Sequence, residues 1–116
     1  ILVDAPCSAS GVIRRHPDVK VLRRASDIEG LAAAQGAILS GLWPLLKPGG
    51  VLLYATCSIL GEENSQVVAR FVAEHQGALP EAPTVGWGAQ AGCGRQVLPD
   101  PDGPDGLFFA LLRKAA

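Results

Sequence analysis

"VLLYATCSILGEEN", residues 51–64, begins as an uncharged run and ends on two acids and an amide. Val51 to Thr56 is continuously apolar rather than alternating. That pattern is expected where a strand is buried on both faces of a parallel sheet. Lys47-Pro48-Gly49-Gly50 just before it is a strong turn signal. After it, Gly61 to about Gln76 reads as a helix whose buried face is Val67, Val68, Phe71 and Val72. Glu62 and Glu63 fall in the first turn of that helix, where its dipole favours anions. Cys57 is thus expected at the end of a strand and ahead of a helix N-terminus, flanked by Thr56 and Ser58. A helix N-terminus stabilises a thiolate.

The arrangement recurs at the start of the chain. "ILVDAPCSASG", residues 1–11, is a strand over 1–4 that is apolar until it ends on an acid, followed by a proline, a cysteine and small residues. Pro6 lacks an N–H and holds Ala5 extended, so the chain leaves the sheet sharply and Cys7 is aimed out of it. Asp4 ends an apolar strand, where a carboxylate is costly without a partner and a ligand is one such partner. A loop cap is the plainer use of an aspartate there.

Between these stretches lie Arg14, Arg15, His16, Lys20, Arg23 and Arg24, opposed by Asp18. Charge runs are commonly solvated surface, and contact with RNA phosphates is the alternative. Pro17 argues against one unbroken helix here. Ser26 and Glu29 read as a capping box. From there Ile28, Leu31, Gln35, Ile38, Leu39 and Leu42 recur at helical spacing, and the helix should stop near Leu46. Thr84 to Trp87 reads as a short strand, and Leu107 to Leu112 as a closing strand after the turn-rich 99–106. Gly86-Trp87-Gly88 and Gly92-Cys93-Gly94 are read as loop glycines, because neither lies between a strand and a helix.

Strands alternating with helices imply β-α-β units in an α/β fold. In such sheets ligands bind beyond the C-terminal strand ends. Asp4, Cys7 and Cys57 all belong there, so the two thiols are expected to share one crevice. The chain has 116 residues, one domain at most, and a formal net charge of −1, so no global basic signal for nucleic acid. No apolar run reaches the ~20 residues of a membrane span, and no signal peptide is visible. Its opening on Ile1, in what reads as mid-strand, implies a piece of a longer protein. Three cysteines at irregular gaps form neither a disulfide framework nor a zinc pattern. A reduced, cytoplasmic setting without metal fits them. Cys93, in "GWGAQAGCGRQ", reads as a buried structural residue.

"DAPCSASGVIRRHPD" with "LLYATCSILGEEN", and the tail "GRQVLPDPDGPDGLFFALLRK", resembles the RsmB/Nop/Sun family of RNA cytosine-5 methyltransferases, especially its bacterial 16S ribosomal RNA branch. The resemblance spans essentially the whole chain. It implies a Rossmann-like, S-adenosyl-L-methionine-dependent fold, of which residues 1–116 would be the C-terminal portion, with a mostly parallel sheet and an antiparallel closing strand. The cofactor-loop half and the N-terminal RNA-binding region would lie outside it, and the piece alone would be inactive. It further implies that Cys57 is the nucleophile, that Cys7 assists product release, and that Asp4 lies at the cofactor and the target base. Ribosomal RNA would be the partner of a monomeric, full-length enzyme, with Arg14, Arg15, Lys20, Arg23 and Arg24 near the crevice mouth as phosphate contacts. Two other readings stay open: a cysteine hydrolase, for which His16 and His75 sit in poor contexts, and a non-catalytic RNA-binding module of the same fold.

Overall fold

The computed structural model describes residues 1–116. In chain order the elements are β1 (Leu2–Asp4), α1 (Asp18–Leu22), α2 (Ala25–Leu42), β2 (Val51–Thr56), α3 (Ser65–Glu74), β3 (Ala78–Glu81), β4 (Ala89–Ala91), β5 (Gly94–Val97) and β6 (Leu107–Lys114). One sheet runs β1-β2-β6-β5-β4, with β3 also paired to β6. β1 and β2 are parallel, in register Leu2–Leu53, Val3–Tyr54 and Asp4–Ala55. The closing strand β6 is antiparallel to β2 along its whole length. On its other edge it carries β3 beside Leu111–Lys114 and β5 beside Leu107–Ala110, both antiparallel. The fold is thus the expected α/β type, with one parallel pair in this chain and a larger antiparallel part than the sequence suggested. No helix is long and apolar enough to cross a membrane.

The core lies against one face of the sheet. Leu52, Tyr54, Phe108, Ala110 and Leu112 meet Leu39 of α2, Val67, Val68 and Phe71 of α3, and Trp43 and Leu46 in the α2–β2 connection. β2 alternates as a result: Leu52, Tyr54 and Thr56 are buried, while Val51, Leu53 and Ala55 are half-buried. The expectation of burial on both faces is corrected here, because both packed helices share one side. On the other side, Trp87 covers Phe109 at 4.9 Å between ring centroids.

α2 begins earlier than the capping box at Ser26 suggested. Arg24 is the N-cap, and the Asp27 carboxylate accepts its backbone N–H at 2.8 Å. Asp27 wins because it sits three positions after the residue where the chain turns from extended to helical. The helix ends at Leu42, and Trp43–Leu45 tightens into a 3₁₀ turn carrying Pro44. Lys114, at the end of β6, donates to the carbonyls of Trp43 (2.9 Å) and Leu46 (2.7 Å). A cation is favourable at such a C-terminal end. No strand forms over 84–87. Gly86 and Pro83 interrupt the pattern, and the pairing falls instead to β3, β4 and β5. Gly94 proves to be a strand residue, not a loop glycine: a Cβ there would sit 2.5 Å from the Phe109 carbonyl oxygen.

Candidate active site

The parallel register of β1 and β2 brings their C-terminal ends side by side. Ala5 N–H donates to the Ala55 carbonyl at 2.9 Å, which continues the pairing up to the Pro-Cys loop. Both chains then turn away from the sheet, and Cys7 and Cys57 meet with their sulfurs 3.4 Å apart. Both are half-buried and free thiols. The convergence expected of them is therefore observed. Burial, with the neighbouring Cys57, pushes the Cys7 thiol up to about 12, so it keeps its proton at neutral pH. Cys7 therefore has an S–H to offer across the 3.4 Å gap to the Cys57 sulfur.

The setting of Cys57 differs from the one expected. α3 starts at Ser65, and residues 57–64 are a turn, so no helix N-terminus directly follows the thiol. Hydrogen bonds hold it instead. Thr56 Oγ1 donates to Asn64 Oδ1 at 2.6 Å and accepts the Ser58 N–H at 3.1 Å. Asn64 Nδ2 donates to the Ser58 carbonyl (2.9 Å) and to Gln96 Oε1 (2.8 Å), and Gln96 Nε2 also reaches the Ser58 carbonyl at 3.1 Å. Gln96 lies on β5, so that strand buttresses the Cys57 loop.

Glu63 is likewise not in the first turn of α3. It is fully buried under the two thiol loops. Its Oε1 accepts the Ser8 N–H at 2.8 Å and Gln35 Nε2 at 3.3 Å. Its Oε2 accepts the Ser8 hydroxyl at 2.7 Å and the Ser58 hydroxyl. Tyr54 Oη donates to the Glu63 carbonyl at 2.6 Å, and burial, with the charges of Glu63 and Cys7, raises its pKa far above the ordinary range. Gln35 Nε2 also donates to the Pro6 carbonyl at 2.8 Å. Glu63, Asn64, Gln96 and Gln35 carry the site and were missed as site residues. The available signals were a glutamine inside the apolar stripe of α2 and four hydroxyl residues beside the two cysteines.

Three backbones cross beside the thiols. Gly11 N–H donates to the Cys57 carbonyl at 2.8 Å, and Gly106 N–H donates to the Gly11 carbonyl at 2.8 Å. A Cβ on Gly11 would lie 2.6 Å from the Cys57 oxygen and 2.8 Å from Gly106 Cα. Backbone atoms cannot yield as a side chain can, so Gly11→Ala is expected to destabilise by about 1–3 kcal/mol. Gly30→Ala, with nothing within 4 Å of the new methyl, is expected to stabilise by up to about 1 kcal/mol. Denaturant midpoints of the two variants in the full-length protein check the opposite signs.

Asp4 is exposed at the end of β1, and its carboxylate makes no hydrogen bond within the chain. The basic cluster divides. Arg14 pairs with Asp105 at 2.6 Å and donates to the carbonyls of Asp100 (2.8 Å) and Gly103 (2.9 Å). Arg15 meets the other Asp105 oxygen at 2.6 Å. These two guanidiniums hold the 100–105 loop while their side chains stay largely exposed. Arg23 donates to the Ser8 carbonyl at 3.2 Å, and Lys20 and Arg24 are exposed and form no ion pair. Neither histidine hydrogen-bonds a thiol. His16 is exposed, and His75 Nδ1–H donates to the Phe71 carbonyl at 2.9 Å while its ring stacks on Phe71. Cys93 packs against the core from the β4–β5 turn, half-buried rather than buried as expected. The largest cavity, about 540 Å³, lies between α2 and residues 60–70 and touches neither thiol.

Several known proteins are similar to this chain in sequence and fold. Ribosomal RNA small subunit methyltransferase B of Yersinia enterocolitica is 55% identical over 114 residues, 98% of this chain and 26% of that protein. The chain thus spans about a quarter of the length of the curated relatives it matches. NSun6 from Pyrococcus horikoshii, solved with SFG, superposes with a TM-score of 0.85 at 32% identity, covering 100% of this chain and 30% of that one. A methyltransferase homolog from the same organism gives 0.78 at 31% identity, covering 98% and 38%. The family model for the 16S rRNA methyltransferase RsmB/F matches residues 1–113. With that match over nearly its whole length, and with the paired thiols at the ends of adjacent parallel strands, the chain belongs to the RsmB/F family of 16S rRNA methyltransferases.

Proposed function

We propose that residues 1–116 are the C-terminal portion of the catalytic domain of an S-adenosyl-L-methionine-dependent enzyme that methylates carbon 5 of a cytosine in ribosomal RNA. The observation that carries this reading is the 3.4 Å approach of two free thiols, one of them held protonated, at the mouth of an α/β sheet. In this reading the Cys57 thiolate adds to carbon 6 of the ring. A C–S bond forms, and the electron pair moves toward carbon 5, which becomes nucleophilic. Once carbon 5 carries the methyl group, a base removes its proton, the C–S bond breaks, and the pair returns to sulfur. The Cys7 thiol, beside that sulfur, donates a hydrogen bond to it as it leaves. Asp4, without a partner in the chain, accepts from the amine edge of the cytosine and from the cofactor. Arg14, Arg15, Lys20, Arg23 and Arg24 face RNA phosphates, and the enzyme works as a monomer in the cytoplasm.

The cofactor supplies, when bound, an electrophilic methyl group. The residues present fit one edge of it: the Asp4 carboxylate is free to accept from a ligand. No glycine turn here runs from a strand into a helix in the manner that cradles a nucleotide. The neighbour solved with SFG, an analogue of S-adenosyl-methionine, supports the assignment. The test uses the full-length protein and RNA carrying 5-fluorocytosine. Fluorine at carbon 5 cannot leave as a proton does, so a denaturant-stable protein–RNA adduct is expected. Absence of the adduct in a protein that still binds RNA would favour the non-catalytic module.

A further inference from the structure

We propose that Glu63 is the positioning residue of this site: its buried carboxylate clamps the loops after Cys7 and Cys57 together and sets the spacing of their sulfurs. The inference rests on the reaction proposed above. Ser8 directly follows Cys7, and Ser58 directly follows Cys57. Both hydroxyls end on the same carboxylate oxygen, Oε2, and the Ser8 N–H ends on Oε1. Gln35 completes the set from α2, binding Oε1 and the carbonyl of Pro6, the residue before Cys7. Four donors converge on one group, and an ionised carboxylate is the side chain that accepts all four and donates none.

The cost of the arrangement argues that it has a purpose. Glu63 is fully buried, and no cation pairs with it; the ion pairs of the chain are Arg14–Asp105, Arg15–Asp105 and Arg113–Glu81. A buried charge without a counter-ion is expensive, and well-packed apolar residues would hold two loops together at lower cost. Gln35 adds to the expense, since its buried Oε1 has no partner. What apolar packing cannot supply is direction. A carboxylate with both oxygens engaged fixes where Ser8 and Ser58 sit, and each carries its cysteine by one peptide unit.

The experiment compares Glu63→Gln, Ser8→Ala/Ser58→Ala and the triple variant with wild type in the full-length enzyme. Glutamine keeps the volume but turns one acceptor into a donor facing donors. We expect kcat, and the rate of 5-fluorocytosine adduct formation, to fall by ~10²-fold, the effect of a displacement on the order of 1 Å. KM for RNA should hardly change. The triple variant should lose no more than Glu63→Gln alone, because one clamp is being removed twice. Diamide oxidation gives a ruler independent of turnover: mass spectrometry should find a Cys7–Cys57 cross-link forming readily in wild type and slowly in both clamp variants. Wild-type turnover and cross-linking in Glu63→Gln would overturn the proposal. If that variant does not fold, the same result in the serine pair overturns it. Failure of wild type itself to form the adduct would instead count against the reaction.

Discussion

Cys57→Ala in the full-length enzyme is expected to abolish both methyl transfer and the 5-fluorocytosine adduct. Removing a covalent nucleophile typically costs roughly 10⁴–10⁶-fold in rate, because no other group takes over the bond it makes. Here the neighbouring sulfur is the natural candidate for substitution, at 3.4 Å. It cannot serve, since burial keeps Cys7 a thiol at neutral pH and the thiol is the poor nucleophile. Cys93→Ala is the control, because that side chain packs on the core away from the strand ends and should leave the rate alone. The measurement is incorporation of a labelled methyl group alongside a denaturing gel for the adduct. An adduct surviving in Cys57→Ala would move the nucleophile elsewhere.

Cys7→Ala should behave in the opposite way. Addition at carbon 6 needs Cys57 and survives. Expulsion of Cys57 from the methylated ring loses the hydrogen bond that the Cys7 thiol would give the departing sulfur. A covalent protein–RNA complex is therefore expected to accumulate with ordinary RNA, with no fluorine present, while turnover falls by roughly 10²–10⁴-fold, the usual worth of a positioned acid–base group. Normal turnover without accumulation would exclude this role for Cys7.

The thiol pair and the main scaffold were legible because both rest on long, unambiguous apolar runs. Val51–Thr56 could only be a buried strand, Leu107–Leu112 a closing one, and Val67, Val68 and Phe71 one helix face. The missed strands are weak in the same terms. β4 is Ala89-Gln90-Ala91, and β3 contains Pro80, which has no N–H to give a ladder and is tolerated there at an edge. Thr84 and Val85 offered better strand residues in a place the sheet does not use. Glu63 was misread because acids near a helix start are ordinarily solvated and favoured by the dipole. Its burial depends on donors from Ser8 and Gln35, far away in the chain, and local spacing cannot report them. The same holds for Arg14 and Arg15, whose partner Asp105 lies near the opposite end of the sequence.

The crossing of Gly11 with Cys57 and Gly106 bears on the order of events during synthesis. A ribosome releases the N-terminal segments first. Cys7, Gly11 and Cys57 can therefore emerge and pair while the residues around Gly106 are still untranslated. Until they arrive, the Gly11 carbonyl lacks its donor, Asp105 has not gathered Arg14 and Arg15, and β6 has not closed against β2. The nascent chain thus passes through an interval in which the two thiol loops lack part of the hydrogen bonding that holds them in the finished fold. β6, made after both thiol loops, is the latch that joins them to the rest of the sheet.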